Sequence, residues 1–357
     1  MEKTDILSLS LSELEDELIK LDEKKFRAKQ IFQWLHVKRV FDFEKMTNLS
    51  VQLRSKLDEH FCIKRLFVSK RLESCIDNTV KYLYRVKYLY RLPDGNYVET
   101  VLMEYHYGHS ICVSTQVGCK MGCRFCASAI AGYVRSLTPS EILMQIYETE
   151  RDSGVRVSGI VLMGIGEPFD NFDNVVKFFQ LVSASDGNNL SLRHVTVSTC
   201  GIVPKIYELA RLKLGLTLSV SLHSADNDRR SEIMPVNNTY NIDRLIEACR
   251  YYANETGRRV TFEYAVIDGV NSSKADADKL ASLIRGINCH VNLIPVNKVK
   301  ERSYRTARAG VEHFAEYLQK KGINATVRRT LGSDIEAACG QLRRDAAKND
   351  MNGGAET

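Results

Sequence analysis

The sequence predicts an α/β protein: a barrel-like βα repeat preceded by a small helical unit and a β-hairpin. From Ser110 to about Thr330, short apolar runs alternate with helical stretches over 138–152, 174–184, 242–256 and 275–286, the pattern of strands and crossover helices on a parallel sheet. Runs such as His194-Val-Thr-Val-Ser-Thr199 and Leu216-Thr-Leu-Ser-Val-Ser-Leu222 read as buried strands ending in polar groups. In (β/α) barrels function gathers at those C-terminal strand ends.

Taken in order, residues 1–75 read as a helical unit. Ser10-Leu-Ser-Glu-Leu-Glu15 predicts a capping box with Ser12 as N-cap and Glu15 three residues on. Phe26-Arg-Ala-Lys-Gln-Ile-Phe-Gln-Trp-Leu35 carries an apolar stripe at helical spacing, so Phe26, Ile31 and Trp34 are expected to pack between helices. Lys24, Lys25, Arg27, Lys29, Lys38 and Arg39 fall on the other side, where a solvated face is the simplest reading. Residues 76–109 read as a hairpin linker. Within it Lys81-Tyr-Leu-Tyr-Arg-Val86 is followed at once by Lys87-Tyr-Leu-Tyr-Arg-Leu92, a near-perfect tandem repeat leading to the turn Leu92-Pro-Asp-Gly-Asn96. An even-numbered insertion preserves the in/out alternation of a strand; it either lengthens the hairpin or loops out, and tyrosines among cations could also stack on RNA. Residues 110–344 form the βα region, and 345–357 a polar tail read as disordered.

Composition narrows the class. The chain has 357 residues, a formal charge of +6 and ten cysteines. It shows no apolar run long enough to span a bilayer and no cationic-then-apolar N-terminal signal. Many cysteines in a chain of this size point to metal and thiol chemistry in a reducing compartment rather than to a disulfide scaffold. The reading is a cytoplasmic enzyme. Its positive charge suits RNA phosphates without establishing them.

Three cysteines carry the strongest signal. Cys119, Cys123 and Cys126 lie in Gly118-Cys-Lys-Met-Gly-Cys-Arg-Phe-Cys-Ala-Ser128, a C-x3-C-x2-C spacing. Zinc favours closed four-ligand sets with a second pair downstream, and no such pair follows. The spacing suits a [4Fe–4S] cluster with one iron left open. Downstream, Met163-Gly-Ile-Gly-Glu-Pro168 combines glycines that permit close backbone approach with the carboxylate of Glu167.

Together these motifs resemble the radical S-adenosylmethionine (SAM) enzymes, with Phe125 at the aromatic position of the cluster loop. Two further cysteines narrow the likeness: Cys112 in Ser110-Ile-Cys-Val-Ser-Thr-Gln-Val-Gly118, and Cys339 in Ser333-Asp-Ile-Glu-Ala-Ala-Cys-Gly-Gln-Leu342. With Val98-Glu-Thr-Val101, Val197-Ser-Thr199, Ser221-Leu-His-Ser224, Ile294-Pro-Val-Asn297 and Val327-Arg-Arg329 in order, nearly the whole chain is similar to the RlmN/Cfr family of RNA methyltransferases. Cys62, Cys75, Cys200, Cys249 and Cys289 keep the reading of small packed hydrophobes. Cys200 stands where the family usually has serine, and Lys298 where it often has proline.

The resemblance implies a partial (β/α)6 barrel, open on one side to admit RNA, with an N-terminal helical domain that helps hold it. Basic residues over 298–308, with Lys320, Lys321, Arg328 and Arg329, would flank the opening. It implies one [4Fe–4S] cluster on Cys119, Cys123 and Cys126, and SAM held by Gly166, Glu167, Ser198, Ser221, Leu222, His223 and Asn297. His223 also fits a satisfied structural histidine. The implied reaction places a methyl from one SAM on Cys339 and uses a second SAM as a radical source. The activated S-methyl carbon then adds to an adenine ring carbon. Glu99 accepts the ring proton, its basicity raised by partial burial between valines. Cys112 attacks Cys339 to release the base and leave a transient disulfide, which must be reduced between turnovers.

The implied substrate is adenine carbon 2 in 23S rRNA at the peptidyl transferase centre, and in certain tRNAs; the target base must be unstacked. Flavodoxin or ferredoxin is the expected electron donor, and a monomer the expected state. A Cfr-like enzyme acting on carbon 8 of the adenine shares the same cysteines. An RNA-binding protein with a structural or redox-sensing cluster is the reading from another class; it would make Cys112 and Cys339 dispensable.

Overall fold

The computed structural model describes residues 3–73, 85–130, 132–295 and 308–328. Cys75, Asn297, Cys339, the first copy of the hexapeptide up to residue 84, the basic stretch over 298–307, Arg329 and the 345–357 tail lie outside them.

The N-terminal helices start where side chains replace missing backbone acceptors. Ser10 accepts from the Glu13 amide while Glu13 accepts from the Ser10 amide. Helix α1 (Leu11–Lys20) therefore begins two residues before the Ser12/Glu15 register predicts. Both registers satisfy the capping pattern. The observed one alone sets Leu9 and Leu14 at the two staple positions, and Leu14 is fully buried. Helix α2 (Phe26–His36) buries Ala28, Ile31, Phe32 and Leu35. Phe26 departs from expectation at 56% exposed: at the first helical position it precedes the buried stripe, beside the Arg27 guanidinium. Trp34 is partly buried against the core with the Lys38 ammonium over its ring. Helix α3 (Val51–His60) completes the unit, and β1 (Thr4–Asp5) pairs in parallel with β2 (Phe61–Cys62).

An antiparallel meander follows: β3 (Phe67–Glu73), β4 (Arg85–Arg91), β5 (Tyr97–Tyr105) and β6 (Gly108–Cys112). The second hexapeptide copy forms most of β4. Its tyrosines face inward, with Tyr88 donating to Asp152 at 2.9 Å and the Tyr90 hydroxyl 2.7 Å from that of Thr149. Both are fully buried, so neither can stack on RNA.

The sheet then becomes parallel. β6 pairs with β9 (Val157–Leu162), followed by β10 (Val195–Thr199), β11 (Thr217–Ser221), β12 (Val260–Val266), β13 (Cys289–Pro295) and β14 (Ala325–Val327). The small hairpin β7 (Gln116–Gly118) and β8 (Tyr133–Ser136) brackets the cysteine loop before α4 (Pro139–Ser153). The later crossovers are α5 (Phe172–Ser183), α6 (Val203–Arg211), α7 (Asn227–Ile233) with α8 (Ile242–Thr256), α9 (Lys274–Leu283) and α10 (Arg308–Lys320). Six βα units in sequential strand order make the partial barrel, and the meander extends its first edge.

One apolar core runs from Ile6 in the N-terminal unit to Ala325 in β14. Polar links reinforce that join: Arg39 meets Glu150 at 2.5 Å, and Lys29 meets Asp186 at 2.8 Å. Of these two cations of the expected outer face, Arg39 turns inward onto a buried carboxylate, while Lys29 stays 55% exposed. Among the described residues no helix is long and apolar enough to cross a membrane.

Candidate active site

Strand alternation sorts the inner face. Side chains two apart share a face, so Glu99, Val101 and Met103 line up on β5, and Cys112 sits opposite Val101 on β6. Val101, Met103 and Cys112 form a small cluster with Val161 and Met163 packed against it. In the same register Ser198 pairs with Ser219 on β11, and Ser221 with Glu263 on β12. A cavity of about 320 Å³ lies at the C-terminal ends of these strands, within the usual range for a ligand pocket. Cys119, Cys123, Cys126, Met163, Gly166, Glu167, Ser198, Ser221, His223 and Glu263 all line it.

The cysteine loop is pinned at three points. Cys119 N–H donates to Gly132 O at 3.3 Å, Arg124 N–H to Ile233 O at 2.9 Å, and Cys126 N–H to Cys123 O at 3.2 Å. Phe125 meets the His223 ring edge-on at 4.7 Å. Burial pushes the Cys119 thiol up to about 12 and raises that of Cys123 as well. Such thiols stay protonated until a metal displaces the proton. Three soft donors from one loop, opening onto a cavity with hydroxyl and carboxylate groups, fit a cluster with a coordinating small molecule beside it.

The Gly-Ile-Gly-Glu turn is shaped by close contact within the chain. A β-carbon on Gly164 would lie 2.6 Å from Val113 O, and one on Gly166, at φ +111°, 2.6 Å from the Gln116 β-carbon. Gln116 holds the turn by accepting from Glu167 N–H at 2.9 Å and donating to Asp170 at 2.8 Å. Ser114 donates to Glu99 O at 2.6 Å and accepts from Ile165 N–H at 3.0 Å, tying the turn to the Glu99 strand. The Glu167 carboxylate is buried and accepts from Phe169 N–H at 3.0 Å and Cys200 N–H at 2.7 Å. Desolvation raises its pKa against those two bonds.

Ser198 and Ser221 face the cavity from neighbouring strands. Leu222 is wholly buried and does not line the cavity; its amide donates to Glu263 O at 3.0 Å and its carbonyl accepts from Arg230 at 3.0 Å. His223 has a positive φ of 54°. Its Nδ1 accepts from Ala265 N–H at 2.9 Å, which places the ring proton on Nε2. Burial, aided by Arg230, lowers its pKa to about 3. The ring thus has a structural hydrogen bond even as the residue lines the cavity.

Glu99 is 3% exposed, and its carboxylate lies 2.9 Å from the Lys87 ammonium, itself 0% exposed. Burial of Glu99 was expected; a buried cation beside it was not. Neither Glu99 nor Cys112 lines the cavity, and Met163, which touches both the cavity and the Cys112 cluster, connects the two regions. Sequence reasoning missed Lys87, Gln116, Glu263 and Arg230. Their partners lie on other elements, and no local pattern in the sequence marks them.

Residues 4–63 match the ribosomal RNA large subunit methyltransferase N-terminal domain, and residues 113–281 the radical SAM superfamily. A probable dual-specificity RNA methyltransferase RlmN of Lachnoclostridium phytofermentans is 53% identical, covering 98% of this chain and 97% of the relative. A protein of the same description from Clostridium novyi is 49% identical over 96% of this chain and 99% of its own. A radical SAM methyltransferase from Sphaerobacter thermophilus superposes with a TM-score of 0.88 at 41% identity, covering 95% of this chain and 98% of that one. The chain belongs to the RlmN family of radical SAM methyltransferases.

Proposed function

We propose that this enzyme methylates carbon 2 of an adenine in 23S rRNA at the peptidyl transferase centre, and of an adenine in the anticodon loop of some tRNAs. The observation that carries the reading is the convergence of three loop thiols, the Gly166-Glu167 turn, Ser198 and Ser221 on one cavity, next to the face that bears Cys112 and Glu99. The full-length likeness to dual-specificity RNA methyltransferases supports the two substrates.

Cys119, Cys123 and Cys126 would hold the [4Fe–4S] cluster, and Gly166, Glu167, Ser198, Ser221, Leu222, His223 and Asn297 would hold SAM. Together these groups supply, when bound, a methyl group and a carbon-centred radical. Cys339 carries the methyl on its sulfur to the base. Glu99 takes the proton from the substituted ring carbon. Cys112, deprotonated, attacks the Cys339 sulfur as the carbon–sulfur bond breaks; the bonding pair stays with the methylene carbon, which takes up a proton to become the methyl group, and a disulfide is left for a dithiol to reduce. The RNA would be bound in the cytoplasm by a monomer, with flavodoxin or ferredoxin as electron donor.

The test traps the chemistry on the protein. Cys112→Ala should accumulate a covalent protein–RNA adduct under reducing, SAM-replete conditions, and Cys339→Ala should give neither adduct nor product. Methylation surviving in Cys339→Ala would overturn the reading.

A further inference from the structure

Behind the cysteine loop stands a buried cation that the reaction above does not use. Arg230, on α7, is 0% exposed. Its guanidinium donates to Leu222 O at 3.0 Å, Cys200 O at 2.8 Å, Ser221 O at 3.1 Å and Asn237 Oδ1 at 2.8 Å. Every one of these acceptors is neutral. Among the described residues no carboxylate pairs with it, and the groups able to carry negative charge that act on it are the thiols of Cys200, Cys123 and Cys249. Burial draws its pKa down to about 10, which leaves it charged at neutral pH. An uncompensated charge in a protein interior is strongly unfavourable unless an anion joins it.

The same residue braces the loop. Three of its bonds fasten α7 to the chain just beyond β10 and to the end of β11. The far end of α7 receives the Arg124 amide at Ile233 O, and Ile233 and Met234 pack with Cys123 and Phe125. The cation therefore sits one layer behind the thiols, on the rigid support that positions them.

We propose that Arg230 is the built-in counter-charge of the iron–sulfur cluster, stabilising its more negative reduced form and so raising its reduction potential. The inference rests on the reading of Cys119, Cys123 and Cys126 as cluster ligands. A cubane held by three thiolates is anionic, and gains a further negative charge when one electron arrives from an external low-potential reductant. Net charge and local electrostatics are among the levers that set such potentials. Arg230 thus acts as a positioning and tuning residue through the loop, without touching substrate.

The experiment compares the unmodified full chain with R230Q and R230K, each reconstituted anaerobically. Iron and sulfide content, the electron paramagnetic resonance signal and the midpoint potential from a mediator titration are read, with melting temperatures before and after reconstitution. R230Q should load cluster with a potential lower by about 60 mV, a tenfold smaller reduced-to-oxidised ratio at fixed potential. R230K, which keeps the charge and loses the fork, should hold a potential near that of the unmodified chain. The gain in melting temperature on reconstitution should shrink in R230Q more than in R230K. If R230Q fails to load while R230K loads with its potential preserved, charge is still the property that matters. A normal cluster in R230Q at unchanged potential overturns the inference, as does equal failure of both variants to load, which marks Arg230 as a brace alone. An unmodified chain that takes up no iron overturns the cluster reading and this inference with it.

Discussion

The pair Lys87–Glu99 shows how much one buried contact decides. Both charged groups are out of solvent, 2.9 Å apart, on the face that carries Cys112. Removing one partner of such a buried pair costs about 3–5 kcal/mol. Lys87→Met should therefore destabilise the fold by that amount in urea unfolding, whereas Lys87→Met/Glu99→Leu should recover most of it. A double variant as unstable as the sum of its singles would show that the two do not act together. The tandem hexapeptide placed a lysine at the head of each copy, and the copy that folds as β4 uses its lysine here. That role was not legible, because it depends on pairing with β5 and on which face the register turns inward.

At the scale of elements, α2 meets the barrel through a buried histidine. His36 Nδ1 lies 3.1 Å from the Tyr147 hydroxyl on α4, and Gly187 fits against Phe32 and the His36 β-carbon. Burial lowers the His36 pKa to about 3. The unfolded chain takes up its proton near pH 6.5 and the folded chain does not, so stability rises with pH between those values. Stabilisation is complete above about pH 6.5 and is lost as pH falls toward 3. At pH 5.5 the loss is about 1.4 kcal/mol for one such group. His223 shifts in the same direction. Denaturant unfolding of His36→Phe should show a fall between pH 7.5 and 5.5 smaller by about that amount; an undiminished fall would contradict the assignment. Element boundaries were legible where one cap dominated, as at α8, predicted over 242–256 and observed as Ile242–Thr256. They were misjudged at α1, where two serine–glutamate pairs competed and the staple leucines decided.

For the molecule as a whole, the sequence carried the chemistry more plainly than the support. The cysteine loop, the Gly-Ile-Gly-Glu turn and the strand-end serines are local patterns, and the fold brings them to one cavity. Gln116, Arg230 and Lys87 could not be found that way. Gln116 reaches Glu167 across 51 residues, and Arg230 reaches Cys200 across 30, so their partners exist only once the barrel has closed. The N-terminal helices and the barrel share one core, which fixes the helical unit against α4 and α5.

The most direct measurement is nucleoside mass spectrometry of a 23S rRNA fragment incubated with the reconstituted enzyme, SAM and a low-potential reductant. 2-Methyladenosine should form, abolished by Cys339→Ala and strongly reduced by Glu99→Gln. Production of 8-methyladenosine would move the reaction to carbon 8, and SAM cleavage with no methylated adenosine in either rRNA or tRNA would overturn the assignment of RNA as the substrate.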